Sequence, residues 1–241
     1  MSKDGCVIVI GGAGGVGRAL IERIGEGCDV IIASRDTTGH QDLGVESFEC
    51  DARNITEVDG LVKDAAQRHG SVRGLVNLAG SILLKPAHLI SEEEWNETIA
   101  TNLTTAFATV RAAGKHMKDG GSVVLVSTVA AGTGLPNHEA IAAAKAGIEG
   151  LARSAAATYA GRGLRFNVVA PGLVDTPLAE RITKSERALE HSRKMHPLGR
   201  IGVPGDIAEA IEFLLGTGSD WITGQVLGID GGLGTTRAGA V

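Results

Sequence analysis

The sequence predicts a single α/β domain in which helices cover both faces of a doubly wound parallel sheet of about seven strands. Short apolar segments alternate with longer amphipathic ones along nearly the whole chain, an order typical of consecutive β-α-β units. The apolar segments are almost continuous in Val, Ile and Leu, which suits strands buried on both faces. With 241 residues, 43% of them hydrophobic, the chain can form one large core.

Each predicted element follows from its local pattern. The apolar segments predict these strands: Cys6–Ile10, Val30–Ala33, Ser47–Cys50, Leu75–Leu78, Val123–Ser127, Arg165–Val169 and Val226–Ile229. Amphipathic patterns predict these helices: Val16–Glu26, Glu57–His69, Glu92–Met117, Glu139–Ala160 and Pro204–Leu215. Ser91 and Glu94 form a capping-box pattern at the start of the third helix. The long polar segment 172–200 predicts a substrate loop or lid, and residues 235–241 predict a loose tail.

Composition and charge exclude several classes of function. A net charge of −5 argues against a nucleic-acid surface. No apolar run is long enough to span a membrane, and the first residues lack a signal-peptide pattern, so we expect a cytoplasmic protein. Cys6, Cys28 and Cys50 fall in or beside apolar segments, which favours buried reduced thiols over a disulfide or a metal site. No Cys/His spacing matches a zinc site.

A glycine-rich turn follows the first predicted strand directly, and an amphipathic helix follows the turn. Such glycines let the backbone approach a pyrophosphate, and the N-terminus of the next helix offers free N–H groups to it. The alternative is a turn with a packing role only. No Gly-Lys-Ser/Thr follows, so the turn is not a Walker A loop. The residues predicted to contact the dinucleotide here are Gly11, Gly14, Gly15, Val16 and Gly17.

The end of the second strand indicates which dinucleotide binds. An acidic residue there would favour NAD(H), because it binds the ribose hydroxyls and repels a 2′-phosphate. This chain has Ser34 and Arg35, which can bind a phosphate through charge-assisted hydrogen bonds. NADP(H) is therefore favoured over NAD(H). The alternative is a solvated Arg35 that Asp36 partly neutralises.

Several further motifs match one enzyme family in order and spacing. The matching residues of the predicted cofactor site are Gly11, Gly15, Gly17, Asp51 with Ala52, Asn77 with Ala79 and Gly80, and Pro171 with Gly172, Val174 and Thr176. Ile222–Gln225 and Ile229–Gly232 match towards the C-terminus, whereas Ile10 replaces the usual Thr before the glycine turn. From Val7 to about Gly232 the chain resembles the short-chain dehydrogenases/reductases, most of all the branch that contains bacterial 3-oxoacyl-carrier-protein reductases.

The resemblance implies a Rossmann fold and hydride transfer between NADP(H) and a small carbonyl or hydroxyl compound. In that family a Tyr transfers the proton, a Lys lowers its pKa and binds the nicotinamide ribose, a Ser binds the substrate oxygen, and an Asn holds a water for proton relay. Lys145 and Asn102 match the Lys and the Asn. The resemblance also implies a homodimer or homotetramer built on helices 92–117 and 140–160, although composition alone equally allows a monomer.

The family pattern breaks at its proton donor. Counted back from Lys145, the Tyr position holds Ile141 and the Ser position holds Thr128. Thr128 keeps a hydroxyl, but isoleucine cannot carry a proton at any pH. The only tyrosine, Tyr159, lies fourteen residues beyond Lys145 on the same predicted helix, roughly 21 Å away at about 1.5 Å per residue.

His138 is the candidate substitute for the missing proton donor. It precedes Ile141 by three residues and Lys145 by seven, spacings that place all three on one helix face. Histidine titrates near neutrality, which suits proton transfer. The alternative is a His138 that lines the mouth of the substrate pocket or contacts solvent. Glu139 is a nearby ionisable residue, but it points in a different direction about the helix axis.

The predicted substrate pocket has three walls, because ligands bind at the carboxyl ends of parallel strands. They are Ser81–Leu84, Thr128–His138 and the lid, with Met195 and Leu198 as its apolar underside. Lys184, Arg187, Arg193 and Lys194 could bind an anionic substrate or carrier, or form a solvated face. Three functions remain open: an NADP-dependent oxidoreductase with an unusual proton path, a non-catalytic dinucleotide-binding sensor or partner subunit, and an enzyme of non-redox chemistry.

Overall fold

One seven-stranded parallel sheet forms the centre of the molecule. The computed structural model describes residues 5–37 and 41–236, and its strand order is β3-β2-β1-β4-β5-β6-β7. The strands are β1 Cys6–Ile10, β2 Asp29–Ser34, β3 Glu46–Glu49, β4 Val72–Asn77, β5 Gly121–Val126, β6 Leu164–Pro171 and β7 Val226–Ile229. The order reverses between β1 and β4, so crossovers run in both directions and the sheet is doubly wound, as predicted.

Helices cover both faces of the sheet. They are α1 Gly15–Ile24, α2 Ile55–His69, α3 Glu92–Ile99, α4 Thr105–His116, α5 Glu139–Tyr159, α6 Glu180–Thr183, α7 Glu186–Met195 and α8 Pro204–Leu215. Helices α2, α4 and α5 pack into the core on one face, and α1 and α8 pack into the core on the other. The predicted α/β class with seven strands is confirmed.

The alternation of side chains along β1 explains how one strand supplies both cores. Cys6, Ile8 and Ile10 belong to the core beneath α2, α4 and α5, whereas Val7 and Val9 belong to the core beneath α1 and α8. Successive side chains of a strand point to opposite faces, so a strand buried on both sides needs a continuous apolar sequence. This is why the strands were visible in the sequence.

The predicted single helix 92–117 is wrong, because a π-helical turn at Ala100–Thr104 separates α3 from α4. Asn102 Nδ2 donates to the carbonyl of Thr98 at 3.0 Å, and Thr105 Oγ1 donates to the carbonyl of Thr101 at 3.0 Å. Such side-chain bonds satisfy carbonyls where the i to i−4 ladder widens, and π turns of this kind are frequent at functional sites. The turn buries Asn102 completely.

The segment 172–200 also differs from a simple loop, because it contains a 3-10 turn at Pro177–Ala179 and the helices α6 and α7. Ser185 caps α7 by accepting the N–H of Ala188. The charged surface of α7 hid this helix in the sequence, since few of its residues are apolar. Of the predicted tail 235–241, residues 237–241 lie outside the described range, and Thr236 N–H donates to the carbonyl of Gly232.

The remaining boundaries of the helices and strands differ from the predicted ones by only a few residues. Helix α2 begins at Ile55 because Asn54 accepts the N–H groups of Thr56 and Glu57.

The three cysteines are free thiols. Cys6 and Cys50 are buried, and burial raises the pKa of each to about 11. Cys28 is half-buried. Among the helices of residues 5–37 and 41–236, none has the length and apolar character needed to cross a membrane.

Candidate active site

The carboxyl ends of the central strands bring the predicted nucleotide residues together. Ile10, at the end of β1, pairs with Ala33 of β2 on one side and with Asn77 of β4 on the other. The N–H of Gly11 donates to the carbonyl of Ala33 at 2.7 Å. The glycine turn therefore lies between the ends of β2 and β4, at the switch point where open α/β sheets bind their ligands.

The glycine turn is shaped by close backbone contacts. Gly11 has φ +75°, and a Cβ there would lie 2.8 Å from the backbone nitrogen of Ala79. A Cβ on Gly17 would lie 2.3 Å from the carbonyl oxygen of Gly12. Helix α1 begins at Gly15, and its N-cap, Gly14, provides no side-chain hydrogen bond. The first N–H groups of α1 thus keep their capacity to bind an anion, and the turn fits a pyrophosphate.

Gly17→Ala is expected to lower the free energy of unfolding by about 1–3 kcal/mol, because the new methyl group meets rigid backbone. Gly60→Ala is the matched control. Gly60 lies within α2, and no atom lies within 4 Å of its added Cβ, so alanine should stabilise the protein by about 0.5–1 kcal/mol. Urea unfolding of both variants measures the effects; the same sign of change in both would contradict this account of the turn.

The ends of β2 and β3 carry the residues predicted to select the dinucleotide. Ser34 Oγ donates to the carbonyl of Asp36 at 2.6 Å, and the side chain of Arg35 is exposed. Asp51 accepts hydrogen bonds from the guanidinium and the backbone N–H of Arg53, which lower the pKa of its carboxyl group. Asp51 therefore remains an anion with a fixed orientation beside the nucleotide cradle.

A cavity of about 450 Å³ opens beside the glycine turn at the carboxyl ends of β4, β5 and β6. Lys145, Ile141, Thr128, Asn102 and His138 all line it. Four of the five belong to α5, to its N-cap or to the segment directly after β5, and the π-helical turn supplies Asn102. The structure thus brings all the predicted catalytic residues to one cavity.

Lys145 is the buried cation of this cavity. Only 7% of the residue is exposed, and its Nζ donates to the carbonyl of Val126 at 2.8 Å. Burial lowers the pKa of Lys145 from 10.5 to about 8, because the charged form loses its hydration. Ile141 lies one helical turn before Lys145 and is 4% exposed, so an aliphatic side chain occupies the neighbouring position in the cavity wall.

Thr128 and Asn102 differ in how firmly they are held. Thr128 Oγ1 lies 3.5 Å from the carbonyl of Pro171 and 3.4 Å from the N–H of Ala130, both long for hydrogen bonds. Its hydroxyl can therefore turn towards a ligand at small cost. Both N–H groups of the Asn102 amide are engaged, since they donate to Ser81 Oγ and to the Thr98 carbonyl, whereas its Oδ1 accepts the N–H of Ser81 and can accept one more hydrogen bond.

His138 is the N-cap residue of α5 and is half-buried at the cavity wall. Its Nδ1 lies 2.8 Å from the carbonyl of Pro136. A carbonyl can only accept, so Nδ1 carries the hydrogen, and in the neutral ring Nε2 keeps its lone pair. Tyr159 does not line the cavity; its ring packs against Phe166 and lies beneath the guanidinium of Arg162.

His196 is a site residue that the sequence did not reveal. It is 3% exposed, its Nδ1 donates to the carbonyl of Ser192 at 2.6 Å, and its Nε2 accepts the N–H of Leu173 at 3.2 Å. These bonds join the C-terminal end of α7 to the loop after β6. Both hydrogen-bond partners of His196 are backbone atoms that only the fold brings near, so no local sequence pattern indicates its role. His196 therefore fixes the lid against the cavity.

The predicted walls of the pocket are largely the observed ones. Ser81, Ile82 and Leu84 form one side, and the 128–138 segment forms the second. The lid contributes Met195 as predicted, but Leu198 is 73% exposed and does not line the cavity. Leu198 follows the end of α7, where the chain has already turned away from the cavity. The end of β6 contributes Pro171, and the loop after it contributes Gly172, Val174 and Thr176. Thr176 lies against Gly15.

Comparison with known proteins places this arrangement in a family. A family model described as enoyl-(acyl carrier protein) reductase matches residues 11–234. The chain belongs to the short-chain dehydrogenase/reductase family. It is 36% identical to the cis-4-hydroxycyclohexanecarboxylate dehydrogenase of Sinomonas cyclohexanicum, across 93% of this chain and 94% of that one. It is 35% identical to the 3-oxoacyl-acyl-carrier-protein reductase of Thermotoga maritima, across 97% and 99%.

A solved structure agrees with these relatives. The ligand-free aldohexose dehydrogenase of Thermoplasma acidophilum superposes with a TM-score of 0.90 at 33% identity, across 99% of this chain and 97% of that one. Relatives named as dehydrogenases and reductases support an oxidoreductase, and the family implies a nicotinamide dinucleotide as cofactor.

Proposed function

We propose that this protein is an NADP(H)-dependent oxidoreductase that transfers hydride to or from a carbonyl or hydroxyl compound without the tyrosine its family uses. The observation that carries the proposal is the pairing of a complete nucleotide cradle with Ile141 beside Lys145 in one cavity. When bound, the nicotinamide supplies or accepts the hydride. The protein binds both partners, excludes water and handles the proton.

The cofactor site proposed for this chain follows the edge of the sheet. The first turn of α1 holds the pyrophosphate, and Asp51 and Ala52 border the adenine. Asn77, Ala79 and Gly80 continue the cradle beyond β4, and Lys145 binds the nicotinamide ribose with its ammonium group. Pro171, Gly172, Val174 and Thr176 border the nicotinamide. The free N–H groups of α1 and the position of Thr176 against Gly15 support this arrangement.

Ser34 and Arg35 are proposed to select NADP(H) by binding the 2′-phosphate. Arg35→Asp is then expected to raise the dissociation constant of NADPH roughly 10- to 100-fold and to tighten NADH, because it removes a charge-assisted contact and adds a ribose acceptor. Cofactor fluorescence titrations measure both constants. Arg187→Asp, the same change of charge at an exposed lid residue, is the control; equal effects of the two variants would contradict the selection.

The proton path is proposed to run through His138. Its Nε2 retains a lone pair because Nδ1 is bound to the Pro136 carbonyl, and it shares the cavity with Lys145 and Thr128. Thr128 would donate to the substrate oxygen, and Asn102 would hold the relay water through its position beside Ser81.

His138→Ala is expected to lower kcat by about 10²-fold, the lower end of what positioned acid–base groups contribute. His138→Gln, which hydrogen-bonds but does not titrate, should not restore the rate. Stopped-flow measurement of NADPH oxidation at saturating cofactor follows the step directly. Full activity in the alanine variant would show that His138 only lines the mouth of the cavity.

A homodimer or homotetramer is proposed for the assembly. Two features support a second copy of the chain as the partner: Phe107 on α4 is 45% exposed, and Trp221 before β7 is 97% exposed. Large exposed aromatic side chains of this kind mark protein interfaces. Sedimentation of the wild type and of Trp221→Ser tests whether the surface around Trp221 takes part in the assembly.

The experiment that tests the proposed function combines binding with consumption. NADPH is titrated first, and its oxidation is then followed with a panel of ketones and of their alcohols in the reverse direction. Binding with turnover is the expected result. Binding without turnover of any compound would instead favour a dinucleotide-binding sensor or partner subunit.

A further inference from the structure

The walls of the cavity are almost entirely apolar. Among its lining residues, all of which lie in the described part of the chain, Lys145 is the only formally charged side chain, and no carboxylate or guanidinium is present. The apolar contributions come from three walls: Ile82, Leu84, Leu135, Ile141, Leu173, Leu178, Ile182 and Met195. Away from Lys145, a charged substrate group entering this space would lose its hydration without meeting an opposite charge, and that loss is costly.

The polar groups of the cavity are mostly committed to the protein. Both N–H groups of the Asn102 amide donate to protein atoms, and Ser127 Oγ donates to Glu149 Oε1 at 2.9 Å. The two long contacts of Thr128 leave its hydroxyl available. The Thr128 hydroxyl and Nε2 of His138 can satisfy one substrate oxygen near Lys145, and apart from a few polar side chains such as His191 and Ser192 the remaining surface offers apolar contact.

The cations of the lid do not compensate for this lack of charge. Lys184 pairs with Glu180 at 2.6 Å, and Lys194 pairs with Glu190 at 3.3 Å. Arg193 lies 3.7 Å from Glu186. None of these cations, nor Arg187, lines the cavity. The structure therefore favours the solvated face that the sequence left open, rather than a binding site for an anionic carrier.

We infer that the substrate is a small uncharged ketone or secondary alcohol whose body is apolar, such as one alicyclic ring or a short branched chain. This inference rests on the proposed oxidoreductase function. The size follows from the cavity, since Val16 and Thr176 of the nucleotide side share its 450 Å³. Reduction would add one hydride, supplied by a bound reduced nicotinamide, to the carbonyl carbon and one proton, from Nε2–H of the protonated His138, to the oxygen, which would give the alcohol, the oxidised cofactor and neutral His138.

A matched pair of ketones tests the inference by binding alone. Calorimetry on the NADP⁺-loaded protein compares 4-methylcyclohexanone with 4-oxocyclohexanecarboxylate, which differ by a methyl and a carboxylate. We expect the neutral ketone to bind at least about tenfold more tightly, because the carboxylate meets apolar walls. Equal binding, tighter binding of the carboxylate, or no binding of either at millimolar concentration would overturn the inference.

A charge added to the lid provides a second test of the inferred substrate class. Leu178→Lys places a cation on the cavity wall and is expected to shift the preference towards the carboxylate about tenfold. Leu198→Lys is the control, because Leu198 belongs to the same segment but lies outside the cavity; it should leave the preference unchanged. An equal shift in both variants would overturn the inference.

Failure of the proposed function is distinguishable from failure of the inference. The expected binding preference without any NADPH oxidation would contradict the proposed function and leave the substrate class standing. Oxidation of NADPH that is faster with the carboxylate would do the opposite.

Discussion

Ile141→Tyr is expected to raise kcat for ketone reduction by about 10²–10⁴-fold, the usual range for a positioned acid–base group. Lys145 lies one helical turn further along α5, and Thr128 and Asn102 line the same cavity. A phenol at position 141 would enter a site in which its usual partners are already present. The cavity of about 450 Å³ has room for the larger ring.

The control for this gain is Ile141→Phe, which adds the same ring without the hydroxyl. It should not raise kcat, and its added volume should weaken ketone binding. The NADPH affinity of both variants is measured first, because their kcat values can be compared only if the cofactor site is intact. A phenylalanine variant as fast as the tyrosine variant, or a tyrosine variant that binds NADPH but gains nothing, would contradict the proposed geometry of the site.

Lys145→Met is expected to weaken NADPH binding and to stabilise the protein. The pKa of Lys145 falls from 10.5 to about 8 on burial, and one pKa unit corresponds to about 1.4 kcal/mol. Below pH 8 the folded state therefore carries a cost of ~3 kcal/mol for this charge. Loss of the hydrogen bond to Val126 offsets about 1 kcal/mol of the gain, so roughly 2 kcal/mol should remain at pH 7.

The pH dependence of the stability gain distinguishes the loss of a buried charge from a simple improvement in packing. Folding favours the neutral amine, so the wild type gains stability as the pH rises from about 8 towards 10.5, and the advantage of the methionine variant shrinks over that interval. Urea unfolding at pH 7 and pH 9.5 measures the difference. An advantage that does not change with pH would show that the buried charge is not its source.

Cofactor binding should change with pH in the opposite sense. If the ammonium group of Lys145 holds the ribose, NADPH affinity of the wild type falls as the pH rises through about 8, and the methionine variant lacks this dependence. Together the two expected profiles would identify a lysine that destabilises the fold and binds the cofactor, a trade-off common among active-site groups.

The sequence predicted the sheet and the cradle because both depend on local patterns. Strands buried on two faces must be apolar throughout, and the glycine turn needs its glycines where Gly11 and Gly17 meet other backbone atoms. The order of the motifs also predicted Asn102, Thr128 and Lys145 in one site, and the cavity contains all three.

The features that the sequence did not predict depend on contacts between distant segments. The π-helical turn at Ala100–Thr104 interrupts a pattern that remains helical on both sides, so periodicity alone shows one helix. His196 binds two backbone atoms that the fold brings near. Helix α7 has few apolar residues, and its cap at Ser185 was the only local sign of its start.

The proposed function requires that this chain transfers hydride with isoleucine at position 141. Its most direct test is a single turnover of the wild type with NADPH deuterated on the transferred face of nicotinamide C4 and with 4-methylcyclohexanone, followed by mass spectrometry of the alcohol. We expect one deuterium on the carbinol carbon. Saturating NADPH binding with no labelled alcohol, while Ile141→Tyr forms it readily, would contradict the proposed function.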